Sequence, residues 1–151
     1  MTTWPQLVID DIKAYRQCFG CGQDNPIGLK LSFQQDGQTA RAEFTPTELY
    51  QGWPGLVHGG IIVCLLDEAM GWVVLFEGIY CVTAEMQVKL RRPVSIGEPL
   101  LITASITKKS RKLVKTQAAV SLKDGTMVAE GTGTHFIASS PTGRVNPAVP
   151  D

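Results

Sequence analysis

Two adjacent acids, Asp67 and Glu68, lie inside a long apolar stretch that runs from Ile61 to Phe76. Because an ionised carboxylate is costly in apolar surroundings unless something pairs with it, an acid in this position is a candidate for chemistry. Neighbouring residues on a helix point about 100° apart, so the two acids are not expected to share one role. We take Asp67 as the catalytic candidate and Glu68 as a structural or supporting residue.

A glycine-marked turn, His58-Gly59-Gly60, opens the same stretch. Glycine lets a ligand come close to the backbone, and the first N–H groups of a helix have no partner within the helix. Such N–H groups attract negative charge. Amides that bind an oxyanion, followed by the Asp67 carboxylate about two turns later, predict an acyl-transfer site. His58 either caps the helix or polarises the substrate, and both interpretations stay open.

Length and composition restrict the possible classes of protein. The chain has 151 residues, which suits one domain, and its 44% hydrophobic and 19% charged residues are typical of a globular protein. Fourteen acidic and fourteen basic residues give no net charge, which argues against nucleic acid as the main partner. Four cysteines are too few for a disulfide scaffold and indicate a reducing cytoplasm. The acids at the centre of the apolar stretch argue against a membrane span.

The pattern of residues predicts an α+β domain with one long helix over 59–77, ending near the C-cap Gly78. Alternation and β-branched content predict strands over 29–33, 40–44, 80–91, 101–107, 113–122 and 127–137. Two Asp-Gly pairs, Asp36-Gly37 and Asp124-Gly125, predict hairpin turns. Weak apolar spacing suggests a short helix over 6–17. We divide the chain into an N-terminal segment (1–17), one domain (18–138) and a flexible tail (139–151).

The helix motif resembles that of the hotdog-fold acyl-CoA thioesterases, and within them it is most similar to the PaaI-like subgroup. The resemblance depends on His58-Gly59-Gly60 with Asp67 nine positions after the histidine. Three further stretches agree with it: Cys18–Gly22 followed by Asn25–Leu29, Thr83–Pro93, and Gly131–Phe136. It implies an antiparallel sheet of five or six strands wrapped around one long central helix.

The resemblance also implies an activity, the hydrolysis of acyl-CoA to free acid and CoA without a cofactor. In the family, the acid that matches Asp67 acts as general base or nucleophile, and the backbone N–H that matches Gly59 binds the thioester oxygen. The position that matches Thr83 holds the attacking water, from the other protomer. Many relatives have an asparagine in the loop before His58, and Gln51 is the candidate substitute here. The resemblance implies a homodimer or homotetramer with active sites between protomers.

Further substrate contacts are predicted from position and charge. Gly60, and Trp53, which is expected to cover the helix start, would lie beside the bound thioester. Basic residues near strand ends form either a solvated face or a site for the nucleotide phosphates of CoA, and the candidates are Arg91, Arg92 and Arg111. Two other functions remain as alternatives: a non-catalytic acyl-CoA-binding hotdog protein and a hotdog dehydratase. The position of His58 suits a dehydratase poorly.

Cys18 and Cys21 have the spacing of half a zinc site. A full site needs four ligands, and no second close pair of cysteines follows. The remaining candidates are His58, His135, Cys64 and Cys81. We therefore expect a loop of small buried thiols and no metal, and we expect His135 on the last strand to be structural.

Overall fold

One long helix lies against one face of a six-stranded antiparallel sheet in the computed structural model, which describes residues 12–138. The elements are β1 (Gln34–Asp36), β2 (Thr39–Phe44), α1 (Gly59–Leu75), β3 (Cys81–Leu90), β4 (Leu100–Lys109), β5 (Leu113–Leu122) and β6 (Met127–Ile137). The strand order is β1-β2-β4-β5-β6-β3, and all neighbours are antiparallel. This confirms the predicted α+β class and the hotdog architecture.

Local chemistry defines both ends of α1. At the start, the side chain of His58 is the N-cap, and its Nδ1 accepts from the backbone N–H of Gly60 at 2.9 Å. At the end, Gly78 adopts the left-handed conformation with φ +76° and donates to the carbonyl of Leu75 at 2.8 Å. Glycine adopts this conformation without a steric cost, which is why helices so often stop there. The predicted span 59–77 is confirmed to within two residues.

The core lies between α1 and the sheet. Side chains from both layers are fully buried there, among them Leu65, Leu66, Met70, Ile102, Val114 and Val120. Each such side chain stabilises the fold by about 1.5–3 kcal/mol relative to exposure. Leu65, Leu66 and Met70 are fully buried while Asp67 is only half-buried, so this packing fixes the rotation of α1 and the direction in which Asp67 points.

The strand β3 lies at one edge of the sheet. It pairs with β6, and its other edge, ten residues long, has no partner within residues 12–138. The register places Thr83 directly opposite His135 and then shifts between Thr83 and Glu85. A shift of this kind redirects side chains and is common beside functional sites.

The predicted strand over 29–33 is wrong, although its pattern of burial is right. Leu29 and Leu31 are buried while Lys30 is exposed. The N–H groups of Leu29 and Leu31 donate to carbonyls of the cysteine loop, residues 18–22, at 2.8 and 2.9 Å. Lys30 has a φ of +53°, which interrupts an extended chain. This segment therefore packs as a strand would but bonds to a loop, and β1 begins after it.

The other predicted elements agree with the structure. The strands over 113–122 and 127–137 are confirmed to the residue. Both predicted hairpin turns contain a glycine in the left-handed region, Gly37 and Gly125. Of the predicted helix over 6–17, the described part forms a 3₁₀ turn at Ile12–Gln17, and residues 6–11 lie outside the described residues, as does the tail over 139–151. Among the described residues, no helix has the length and apolarity needed to span a membrane.

Candidate active site

Asp67 is half-buried on α1 and faces a cavity of about 310 Å³. The hydroxyl of Thr83, at the start of β3, donates to Asp67 Oδ1 at 2.8 Å. Both residues belong to the same chain. The expectation that a threonine from another protomer holds the attacking water stays a prediction. A carboxylate that holds a hydroxyl at the wall of a cavity is suited to orient a water molecule.

Behind Thr83, a hydrogen-bonded chain runs into the core. Thr83 Oγ1 lies 3.2 Å from His135 Nδ1, and Thr116 Oγ1 lies 2.7 Å from His135 Nε2. The Thr83 hydroxyl has one proton and gives it to Asp67, so it accepts from His135 Nδ1–H. His135 Nε2 is then unprotonated and accepts from Thr116. The imidazole in this assignment is neutral.

Burial supports the neutral form of His135. The side chain is fully buried, and this desolvation lowers its pKa below the ordinary value, while the Asp67 charge acts in the opposite direction. The glycine at 133 gives the ring its space. A Cβ there would lie 2.9 Å from His135 Nε2 and 2.9 Å from the Met70 sulfur. The network thus depends on a small residue next to it in β6.

A second group of residues forms the opposite wall of the cavity. Glu68 contacts the cysteine loop, where Cys18 Sγ donates to its Oε1 at 3.6 Å. Burial, with a contribution from Cys18, raises the pKa of Glu68 to about 8. A hydrogen bond between the two thiols lowers the pKa of Cys18 and raises that of Cys21. Burial also raises the pKa of Tyr15 beside Cys21. The separate surroundings of the two acids agree with the separate roles expected for them.

The helix start lies at some distance from this cavity. Because His58 occupies the N–H of Gly60, the amide of Gly59 is the one that has no partner among the described residues. Gly59 precedes Asp67 by eight residues, which is about 12 Å along a helix axis. One thioester carbonyl is therefore too small to contact the Gly59 amide and the Asp67 carboxylate of the same chain.

The loop residues predicted to bind substrate lie outside the cavity lining. Gln51 is exposed, and its Oε1 accepts from the N–H of Gly55 at 3.2 Å, so it holds the loop in place. Trp53 is 81% exposed. It does not cover the helix start within this chain, and that expectation is wrong.

The predicted basic contacts also lie outside the cavity lining. Arg91 and Arg92 are exposed and follow β3 directly, and Arg91 forms an ion pair with Glu130. The preceding residue, Leu90, is the neighbour that a Cβ at Gly59 would meet, at 3.3 Å. This places the two arginines at the Gly59 end of α1. Arg111 is exposed in the connection between β4 and β5.

Sequence reasoning missed the part of His135 in this site. The residue was expected to be structural, whereas its Nδ1 contacts the threonine that binds Asp67. The signal is not local, because β6 is the last strand and yet lies beside β3. The contact of Cys18 with Glu68 was not predicted either, because the two residues are fifty positions apart in the sequence.

Comparison with known proteins assigns the chain to a family. The profile of the thioesterase superfamily matches residues 54–129, half of the chain. Bovine acyl-coenzyme A thioesterase THEM4 is 28% identical over 132 residues, covering 85% of this chain and 54% of that protein. The chain spans about half the length, or less, of the curated relatives it matches.

Solved structures agree with this assignment. A thioesterase superfamily protein has a TM-score of 0.74 at 27% identity, over 79% of this chain and 62% of the other. Escherichia coli PaaI, from the phenylacetic acid degradation operon, has the same fold, with a TM-score of 0.70 at 19% identity over 78% and 84% of the two chains. The profile, the capped helix with its acid and the wrapped sheet lead to one conclusion: the chain belongs to the thioesterase superfamily.

Proposed function

We propose that this protein hydrolyses an acyl-CoA thioester to the free acid and CoA, with Asp67 as the reacting carboxylate. The observation that carries the proposal is the half-buried Asp67 carboxylate, hydrogen-bonded to Thr83 at 2.8 Å in the wall of a cavity. The names of the curated relatives as acyl-coenzyme A thioesterases support the choice of CoA as the thiol.

In the general-base route, Asp67 activates water. Oδ1 accepts from Thr83, which leaves Oδ2 to accept a proton as the water oxygen bonds to the thioester carbon. The tetrahedral intermediate then collapses, the C–S bond breaks, and the CoA thiolate leaves and takes up a proton. A positioned general base contributes roughly 10²–10⁴-fold to the rate.

In the nucleophilic route, an Asp67 oxygen attacks the thioester carbon and expels CoA, which gives a mixed anhydride that water hydrolyses. The position of the oxygen atom taken from water separates the general-base route from a nucleophilic route in which water attacks the Asp67 carbonyl of the anhydride. A single turnover in ¹⁸O-water labels the product acid in the general-base route. It labels the Asp67 carboxylate if water attacks the enzyme side of an anhydride.

We assign the Gly59 amide the role of oxyanion donor and propose that it acts on a substrate bound at the Asp67 of a second copy of the chain. The separation of about 12 Å along α1 supports this division between two chains. The unpaired ten-residue edge of β3 supports a homodimer in which two sheets join edge to edge. Each oxyanion donor is worth about 3 kcal/mol.

The remaining predicted contacts receive unequal support. Arg91 and Arg92 lie at the Gly59 end of α1, so we propose that they bind the CoA phosphates. His58 acts through the cap that leaves the Gly59 amide available. Gly60, Gln51 and Trp53 would line the outer part of the site. Nothing in the fold strengthens the case for Arg111.

The decisive test is thiol release from a panel of acyl-CoA substrates by the wild-type protein and by Asp67→Asn. The substitution keeps the shape of the side chain and removes its basic oxygen. We expect kcat/KM to fall at least about 100-fold, with unchanged circular dichroism and unchanged oligomer size. Full activity in Asp67→Asn would remove Asp67 from the reaction. Binding of acyl-CoA without turnover by the wild type would favour the non-catalytic alternative.

A further inference from the structure

We propose that Cys18, Cys21 and Glu68 form a zinc-binding site in the wall of the cavity. One ligand atom from each of the three residues lies within 4.8 Å of the other two. Zinc favours cysteine thiolates and accepts carboxylate oxygens. The spacing of Cys18 and Cys21 alone supplied two ligands, and the fold adds the third from α1. The proposal concerns residues other than Asp67 and stands apart from the proposed hydrolysis.

The distances suit a single ion. The Cys18 sulfur and the Glu68 Oε1 oxygen are 3.6 Å apart. A sulfur about 2.3 Å and an oxygen about 2.1 Å from a tetrahedral zinc lie about 3.6 Å from each other. The loop therefore already holds these two ligands at the separation that zinc requires.

The backbone of the cysteine loop turns tightly around Cys18. The N–H groups of Gly20 and Cys21 lie close enough to the Cys18 sulfur to stabilise its thiolate. Gly22 donates to the carbonyl of Cys18 at 2.9 Å, which closes the turn. A Cβ at Gly20 would lie 2.1 Å from the Glu68 carboxyl carbon, so glycine is needed for the loop to approach the acid. Amides aimed at a ligand sulfur are the outer contacts that metal sites use.

Charge gives a second argument. The ion pairs of the described residues join exposed side chains elsewhere, and none involves Glu68. Glu68 thus lies half-buried beside two thiols with no cationic side chain paired to it in the described part of the chain, which leaves its place open to a divalent ion. Trp72 is buried nearby, and its indole N–H has no hydrogen-bond partner in the described part of the chain. No hydrogen bond of normal geometry joins the indole N–H to Cys21, but this donor acts to lower the pKa of the Cys21 thiol, as a group beside a thiolate would.

Three protein ligands leave one coordination position. Cys18, Cys21 and Glu68 line the same cavity as Asp67 and Thr83, so this position is open to water from the cavity. Binding releases the thiol protons to solvent, and the ion ties the cysteine loop to α1. Zinc at this place anchors the segment that covers one side of the candidate active site.

The test is the metal content of the protein purified from zinc-supplemented cells and dialysed without chelator. We expect about one zinc ion per chain, measured by inductively coupled plasma mass spectrometry. Replacement by Co²⁺ should give the absorption of a cobalt–thiolate bond. A wild-type protein with four free thiols per chain, negligible zinc and no cobalt–thiolate absorption would overturn the proposal, whatever its activity toward acyl-CoA.

Variants locate the ion. Cys18→Ser and Cys21→Ser should lose it, and Glu68→Gln should weaken zinc binding by more than the roughly 10–100-fold that outer contacts contribute. The matched control is Cys81→Ser, because Cys81 lines the same cavity but is not one of the three clustered ligands. Equal loss of zinc in the control would contradict the assignment. If a serine variant fails to fold, the stoichiometry and cobalt spectrum of the wild type still decide.

Discussion

The hydroxyl of Thr83 lies between an acid and a buried imidazole, at 2.8 Å from Asp67 Oδ1 and 3.2 Å from His135 Nδ1. The hydroxyl donates its proton to the carboxylate, and its oxygen accepts the N–H of the imidazole ring. The residue therefore fixes one oxygen of a carboxylate that lines the cavity and leaves the other oxygen available. In the proposed hydrolysis, this arrangement suits Thr83 to position the reacting carboxylate rather than to react itself.

Thr83→Val removes the donor and keeps the shape, whereas Thr83→Ser keeps the hydroxyl and is the matched control. A hydrogen bond to a charged group is worth about 1.5–3 kcal/mol, so we expect kcat to fall by about 10–100-fold in the valine variant. The loss should fall on kcat rather than KM, because the contact orients a reacting group. Steady-state kinetics of thiol release measure it. Equal rates in the two variants would contradict the role.

The buried His135 predicts how stability depends on pH. Its pKa is lower in the folded protein than in the unfolded chain, so the unfolded chain binds more protons below about pH 6.5. The contribution of neutral His135 to the free energy of unfolding is therefore fully present above that pH. It is lost as the pH decreases toward the folded pKa, by at most about 1.4 kcal/mol per pH unit.

Urea unfolding at several pH values tests this expectation, with His135→Gln as the reference protein. The reference cancels groups that titrate in both proteins, such as Glu68, whose pKa is raised to about 8 and whose effect has the opposite sign. The wild type should lose more stability than the variant between pH 7 and pH 5.5. Parallel profiles would show that His135 does not titrate as its burial requires.

At the scale of secondary-structure elements, replacing either of two glycines by alanine should change the free energy of unfolding, with opposite signs for the two positions. Gly71 lies inside α1, and a Cβ there would meet no atom of residues 12–138 within 4 Å, so Gly71→Ala should stabilise the fold by about 0.5–1 kcal/mol. Gly133 lies in β6 against His135, and Gly133→Ala should destabilise the fold by about 1–3 kcal/mol through overpacking. Urea unfolding of the pair measures both effects. Effects of the same sign would contradict this account of the packing.

The sequence was most informative where structure is local. Hairpin glycines and alternation predicted β5 and β6 to the residue, and capping signals predicted α1. It was least informative where contacts join distant segments. The alternation over 29–33 records burial, but burial does not specify which carbonyl each N–H will find, and here the partners are in the cysteine loop. Asp67 became a candidate from the sequence because an acid is unusual in an apolar helix, and its catalytic role stays a prediction.

At the scale of the whole molecule, the separation of Gly59 from Asp67 predicts a site shared between chains. Gly59→Pro removes the amide proton at a helix position that tolerates proline, and the preceding His58 has the extended ψ of 131° that proline requires. The matched control, Gly59→Ala, keeps the N–H and adds a Cβ whose single close neighbour in the described part of the chain is Leu90, at 3.3 Å. We expect the proline variant to lose about 10²–10³-fold in kcat and the alanine variant to keep most activity.

Co-expression of Gly59→Pro with Asp67→Asn then distinguishes the arrangements. In a mixed dimer, one site receives the intact amide and the intact acid, and the other receives neither. We expect activity to return to about half that of the wild type for each mixed dimer, given independent sites. Absence of any recovery, with mixed dimers present, would mean that one chain supplies both groups.

If the unpaired edge of β3 forms the dimer interface, the activity of the protein depends on its concentration. A catalyst completed only by a second chain is governed by mass action, so at concentrations below its dissociation constant the rate would rise with the square of the amount of protein. Specific activity would then decrease on dilution, and a small change in expression would produce a larger change in flux. Ten residues of unpaired backbone would in this way set a threshold for turnover.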